Sequence, residues 1–194
     1  STSDQENYLQ YAVIAANAPT GVTPEQAAVW AYPMNHEESI SPDALREEVI
    51  FNMVSAMLLR IHQSGHLAKL DEERKALVKQ ALSVYKTIRP DIRVSRPFWS
   101  LGLAGYSDEI VSLGLFVEGK AYLAVWKRSG AAESVTLPIS DAVRTALDSE
   151  KIALSCIYPG PETAEASYDP LEKAVKVALP KPVMARLFEL TPDR

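Results

Sequence analysis

The spacing of apolar residues along this chain changes near residue 95. Upstream, short apolar runs alternate with stretches of helical period; downstream, strand-like runs separated by turn residues follow one another to the end. Tyr11-Ala12-Val13-Ile14-Ala15-Ala16, closed by Asn17-Ala18-Pro19, and Ala27-Ala28-Val29-Trp30-Ala31-Tyr32, closed by Pro33, have the length and continuity of buried parallel strands. Between them Thr23-Pro24-Glu25-Gln26 has the composition of a capping box with proline at the first helical position, and predicts one helical turn. A longer helix is predicted from Ser41-Pro42-Asp43, because Leu45, Val49, Met53, Met57 and Ile61 recur in four-residue steps toward Gly65 as terminator. A second starts at the cap Asp71, sets Glu72 and Glu73 at its positive end, turns Leu77, Val78, Ala81, Leu82, Val84, Tyr85 and Ile88 inward, and is stopped by Pro90. Strand, strand, helix, helix at the end of a longer α/β series suits the closing units of a (β/α)8 TIM barrel.

Beyond the change of spacing, Ile110 to Val117 reads as a strand interrupted by Gly114, Glu118-Gly119 as its turn, and Lys120 to Lys127 as its partner. In that partner Tyr122, Ala124 and Trp126 face one way and Ala121, Leu123 and Val125 the other. Ser134 to Pro138, Ala153 to Tyr158, Ala174 to Leu179 and Ala185 to Leu190 complete six segments at short spacing. They predict an antiparallel β-sandwich over 96–194, after an α/β portion over 1–95. Phe98 and Trp99 fall at the junction and are expected to pack the sandwich against the last barrel helix, with projection toward the cleft as the alternative; Tyr106 and Trp126 are open to the same alternative and are expected in the core.

Composition narrows the chemistry. The chain has 194 residues and 47% apolar content, ample for a packed core. Its 20 basic and 25 acidic side chains are interspersed and leave a net charge of -5, so nothing resembles a footprint for nucleic acid or an anionic membrane. Neutral or polar small ligands fit better. Cys156 has no cysteine to pair with and sits in the apolar run Ile152-Ala153-Leu154-Ser155-Cys156-Ile157, which makes it a small core hydrophobe. A cytoplasmic setting agrees with this, and any targeting signal would lie upstream. The chain does not start with methionine and enters an apolar run almost at once, so it reads as the back half of an enzyme whose front half is missing.

Two patterns that invite chemistry do not carry it. His62 and His66 are four apart, but Gln63 follows the first where a zinc helix would place Glu, and Gly65 breaks the helix between them; a structural role at a helix C-terminus is expected and no metal. Gly114 and Gly119 open no helix, so they make no phosphate loop. No Ser/His/Asp or Cys/His triad can be assembled, and no cofactor is expected.

The order of longer motifs is more telling. Ser3-Asp4-Gln5, Trp30-Ala31-Tyr32-Pro33-Met34-Asn35-His36, Arg60-Ile61-His62-Gln63-Ser64-Gly65 and Val84-Tyr85-Lys86-Thr87-Ile88-Arg89-Pro90 resemble, in sequence and spacing, the C-terminal portion of the α-galactosidase (melibiase) family of glycoside hydrolases. Pro97-Phe98-Trp99-Ser100-Leu101-Gly102, Leu123-Ala124-Val125-Trp126-Lys127-Arg128 and Ala185-Arg186-Leu187-Phe188-Glu189-Leu190 resemble that family's trailing β-sandwich. The resemblance implies a retaining mechanism on a barrel, with an aspartate nucleophile at the end of one strand and an aspartate acid/base at the end of a later one. The acid/base position falls on Asp4, and the nucleophile motif has no counterpart here and would lie upstream of Ser1. Retention needs both groups: one acid protonates the leaving oxygen, a carboxylate roughly 5 Å away takes the anomeric carbon, and the first then activates water.

Trp30 and Tyr32 are candidates to stack on a sugar ring while Asn35 or His36 bonds its hydroxyls, because carbohydrate sites pair apolar ring faces with planar polar groups; the alternative is that both rings fill the barrel and Pro33 simply ends the strand. The strand carrying them is more aromatic than in many members of the family, which bears on substrate preference. The expected substrate is an oligosaccharide with a terminal α-galactosyl unit; the expected macromolecular partner is the N-terminal remainder of the parent enzyme, with a homo-oligomer left open and neither nucleic acid nor membrane. The alternative is a non-catalytic accessory module whose sandwich stabilises a barrel, mediates oligomer contacts or binds carbohydrate weakly.

Overall fold

The computed structural model describes residues 7–33, 42–64 and 67–193, without the side chains of 42–45. The upstream part is a helix-strand alternation: α1 (Tyr8–Asn17), β1 (Ala28–Ala31), α2 (Pro42–Met57), β2 (Arg60–Gln63) and α3 (Glu72–Ile92). β1 and β2 pair in parallel, Ala28 with Arg60 through Ala31 with Gln63, and α2 is the crossover between them. Among the described residues these two strands form no closed barrel.

The run Tyr11 to Ala16, expected as a strand, is therefore helix. Asn7 supplies the cap, its side-chain oxygen accepting from the N–H of Leu9 (3.0 Å) and of Gln10 (3.2 Å). The run is alanine-rich, and alanine is the best helix former. Tyr11, Ala12, Val13, Ala15 and Ala16 are all buried, so most of the helix circumference is apolar and no period survives to distinguish it from a strand.

The second departure is at the end of α2, which was expected to continue to Gly65 and stops at Met57. Every residue from Glu47 to Leu59 is buried. Leu58 and Leu59 extend the apolar text in consecutive positions where a one-faced helix would not, and the N–H of Arg60 is taken by the carbonyl of Ala27 (3.1 Å), which starts the parallel ladder. Ile61 thus continues the four-residue step by coincidence.

α3 starts as expected: the Asp71 carboxylate accepts from the Arg74 N–H at 2.8 Å, which holds that carboxyl below its ordinary range. It does not stop at Pro90. The ring removes one N–H in the last turn, and the buried Ile92 keeps that turn seated in the core. Thr23-Pro24-Glu25-Gln26 does make a turn, a 3-10 helix over Pro24–Gln26, but the Thr23 hydroxyl donates to Glu25 Oε1 (2.7 Å) and caps nothing.

Downstream, the six expected strands are present as β4 (Ile110–Val117), β5 (Lys120–Lys127), β6 (Ser134–Pro138), β7 (Ile152–Tyr158), β9 (Ala174–Ala178) and β10 (Met184–Pro192). Two short strands, β3 (Arg96–Phe98) and β8 (Ala166–Asp169), and a helix, α4 (Asp141–Leu147), join them. α4 is capped by Ser140 and buries Val143 and Leu147. The strands form two antiparallel sheets, one of order β3-β4-β5-β10-β7 and one of order β6-β9-β8.

The five-stranded sheet is packed on both faces. On one, Tyr122, Ala124 and Trp126 of β5, Val111, Leu113 and Leu115 of β4, and Leu187 of β10 share a core with α1, α2 and α3. On the other, Ala121, Leu123 and Val125 meet Val175 and Val177 of β9, Leu137 of β6 and Leu147 of α4, with Cys156 among them. The alternation read along β5 is thus the alternation between two cores. Phe98 joins the second core, and Trp99 ties β3's exit to α1 by donating from Nε1 to the carbonyl of Ala16 (2.7 Å). Tyr106, expected inside, is 63% exposed, on a loop whose backbone is held from beneath.

Polar links cross the first core. Arg186 of β10 makes a bidentate pair with Glu47 of α2, Nη1 to Oε2 at 2.8 Å and Nη2 to Oε1 at 3.0 Å, with both residues buried. Lys181 Nζ adds a contact to Glu47 at 2.9 Å, and Arg186 Nε donates to the Thr163 carbonyl at 3.1 Å. At the far end of α3 the Tyr122 hydroxyl donates to Asp91 (2.6 Å); burial first, then that carboxylate, pushes the phenol's ionisation well above its ordinary range and keeps it a donor.

Two predictions follow from these contacts. Replacing Arg186 by Met leaves Glu47 buried without its fork partner and should lower the unfolding free energy by about 3–5 kcal/mol; a midpoint in urea within error of the wild type would show the pair to be dispensable. A Cβ added at Gly114 would run into the Phe98 ring. Gly114→Ala should therefore cost about 1–3 kcal/mol, with much of the loss recovered by adding Phe98→Leu; equal losses in the single and double variants would contradict this contact.

Candidate functional site

In an open parallel arrangement, groups at the carboxyl ends of the strands face the space outside the sheet, where ligands bind. β1 places Val29 and Ala31 in the core beneath α2 and turns Ala28 and Trp30 the other way. In β2 the residue opposite Trp30 is His62. Their rings meet edge to face, centroids 5.2 Å apart at 72°. Tyr32, one residue beyond β1, stacks on Trp30 at 6.2 Å and 29°. Trp30, Tyr32 and His62 are each half-buried, so three rings form one partly open platform at the carboxyl end of the strand pair.

The backbone beneath this platform is fixed by side chains. The Trp30 N–H donates to the Tyr11 hydroxyl of α1 (2.8 Å). The Ala31 carbonyl accepts from the Ser64 N–H and from Gln63 Nε2, both at 3.0 Å, and the same Nε2 reaches the Ser64 carbonyl at 3.2 Å. Gln63 Oε1 is buried with no partner among the described residues.

Of the residues singled out in the sequence, Trp30 and Tyr32 stand together. Asp4, Asn35 and His36 lie outside the described residues, as does His66. His62 was expected at a helix C-terminus and is instead a strand residue against Trp30, because α2 ends before it. His62 as a platform ring and Gln63 as the support beneath it were missed for the same reason. The signal available was Ile61 set between polar residues directly after two adjacent leucines. Among the described residues there is no group of three His, Cys, Asp or Glu side chains that could hold a metal ion, and no helix long and apolar enough to cross a membrane.

No protein-family model matches the chain. No curated protein matches it either. Solved structures do. The GH36 α-galactosidase AgaA of Geobacillus stearothermophilus, solved in complex with raffinose, superposes with a TM-score of 0.61 over 93% of this chain and 24% of its own, at 20% identity. The galactosidase domain of the α-galactosidase-sucrose kinase AgaSK gives 0.66 over 97% and 25%, at 16% identity. The GH36 α-galactosidase AgaB of Geobacillus stearothermophilus gives 0.62 over 97% and 25%, at 19% identity. The chain spans about a quarter of the length of these structures. The likeness is one of fold, and at that level it agrees with the resemblance read from the sequence.

The tie between α1 and the platform is open to direct test. Tyr11→Phe leaves the Trp30 N–H without its acceptor and should destabilise the chain by about 1–3 kcal/mol, read as a lowered midpoint of chemical denaturation. An unchanged midpoint would mean that the N–H finds water at no cost.

Proposed function

We propose that this chain is the C-terminal segment of a retaining α-galactosidase that hydrolyses terminal non-reducing α-D-galactosyl residues of oligosaccharides. In this reading residues 1–95 are the last strands and helices of a (β/α)8 barrel, residues 96–194 are its trailing β-sandwich, Asp4 is the acid/base, and the nucleophile lies upstream. The observation that carries it is the superposition of nearly the whole chain on α-galactosidases, one of them holding raffinose. Three features lend support: the helix-strand alternation around a parallel pair, the second core between two antiparallel sheets, and an aromatic platform at the carboxyl ends of β1 and β2.

The chemistry assigns each residue its work. Asp4 in its acid form gives a proton to the glycosidic oxygen as the bond to the anomeric carbon breaks. An upstream aspartate forms the new bond to that carbon on the opposite face. Asp4, now a carboxylate, takes a proton from water, whose oxygen displaces the enzyme carboxylate and restores the original configuration. Trp30 and Tyr32 offer ring faces to the apolar side of the sugar, and Asn35 offers amide groups to its hydroxyls.

The chain by itself holds one of the two carboxylates and should hydrolyse an aryl α-galactoside negligibly. Joined to its upstream coding sequence it should be active, and Asp4→Ala in that longer polypeptide should lower kcat/KM by about 10²–10⁴-fold. Full activity in the Asp4→Ala protein, or turnover at ordinary enzymatic rates by residues 1–194 alone, would overturn the assignment.

A further inference from the structure

Ala28 and Trp30 of β1 share one face of the parallel pair with their register partners in β2, Arg60 and His62. Trp30 and His62 stand at its carboxyl end. The edge-to-face contact between these two accounts for the carbon atoms of the imidazole and leaves its nitrogens unexplained. Among the described residues neither ring nitrogen of His62 has a hydrogen-bond or ion-pair partner, and neither has Nε1 of Trp30. Packing alone needs a ring at this position, and phenylalanine would serve. The half-buried platform therefore presents aromatic surface from Trp30 and Tyr32 together with polar ring atoms that the described residues do not use. His62 is also held in place, because its strand is clamped on either side of it. Before it the Arg60 N–H donates to the Ala27 carbonyl at 3.1 Å, and after it the Ser64 N–H and Gln63 Nε2 both donate to the Ala31 carbonyl at 3.0 Å. The imidazole is steeply inclined to the indole, at 72°, so a pyranose resting on the aromatic surface can turn its rim of hydroxyls toward the imidazole.

We propose, resting on the α-galactosidase reading given above, that His62 is a sugar-binding residue that sets specificity at this platform: its imidazole hydrogen-bonds a hydroxyl of the galactosyl unit seated on Trp30 and Tyr32. A pyranose has two kinds of surface, an apolar patch of C–H groups on its face and hydroxyls round its rim. The aromatic rings take the first. A neutral imidazole, with one nitrogen a donor and the other an acceptor, suits the second, because a hydroxyl both gives and takes a hydrogen bond. A contact of this kind discriminates. An analogue lacking the hydroxyl leaves the protein's polar group unpaired, and is rejected more strongly than a hydrocarbon group of the wrong size in an apolar pocket. Selection among hexoses that differ in the orientation of one hydroxyl falls to His62, while Trp30 and Tyr32 accept any pyranose with an apolar face.

The test uses the upstream-extended enzyme with an aryl α-galactoside and the set of its monodeoxy analogues, each lacking one hydroxyl. His62→Phe, which keeps a ring against Trp30 and removes both nitrogens, should lower kcat/KM on the parent sugar by about 10-fold. For one analogue the losses should not add: removing that hydroxyl costs the wild type about 10-fold and costs His62→Phe nothing further, because the bond is already gone. The remaining analogues should lose by the same factor in both proteins. A merely structural His62 would lower activity by one factor across the whole set, so additivity at every hydroxyl overturns the assignment, as does full activity of a folded His62→Phe. His62→Ala carries the same comparison if the phenylalanine variant does not fold. Wild-type turnover separates the two claims: an enzyme that leaves the parent α-galactoside intact refutes the α-galactosidase reading itself, whereas turnover with additivity refutes the role of His62 alone.

Discussion

The five-stranded sheet is packed on both faces, and this constraint organises the molecule. Antiparallel sheets commonly leave one face solvated; here three helices cover one side and a second sheet the other, so β5 is apolar at nearly every position. Helices from before residue 95 and strands from after it share one core in consequence. The charged groups caught in that core are committed to specific partners. Glu47 and Arg186 answer each other in a bidentate pair, and Arg128 is dispersed over carbonyls. Replacing such groups by apolar ones of similar volume is often tolerated, whereas removing one partner is not. Their contribution here is register: they state which turn of α2 lies on β10 and which end of α1 meets the loop after β3.

That register matters because the parallel strand pair is small. β1 and β2 are four residues each, and their order depends on what α1, α2 and the sheet hold in place. The Tyr11 hydroxyl on the Trp30 N–H and Gln63 on the Ala31 carbonyl continue the chain of support from the sheet to the aromatic platform. The small strand pair and its aromatic platform thus inherit their order from the trailing sheets.

Sequence patterns reveal an element where one face is buried and the other is wet, or where a turn is spelled out. Glu118-Gly119 announced the β4–β5 hairpin and Asp71 announced α3. The two faces of β5 were also correctly divided, although what lay on each could not be known. The pattern failed where burial was complete. α1 and the last two-thirds of α2 are buried nearly all round, so their period is lost, and the chain's turn into β2 left no mark beyond Leu58-Leu59. The same error hid His62, whose place beside Trp30 depends on the strand. β3, β8 and α4 are too short for periodicity to register. Trp30 and Tyr32 are candidates because aromatic faces at a strand's carboxyl end suit a sugar ring, and the structure stacks the two rings on each other; Asp4 is a candidate through the resemblance alone.

The proposed retaining hydrolysis is tested most directly by the stereochemistry of the released sugar. Proton NMR of an aryl α-galactoside digested by the upstream-extended enzyme, recorded before mutarotation, should show the α-anomer of galactose appearing first, as two successive displacements require. Appearance of the β-anomer first would mean a single displacement by water, and the pairing of Asp4 with an upstream nucleophile would be wrong.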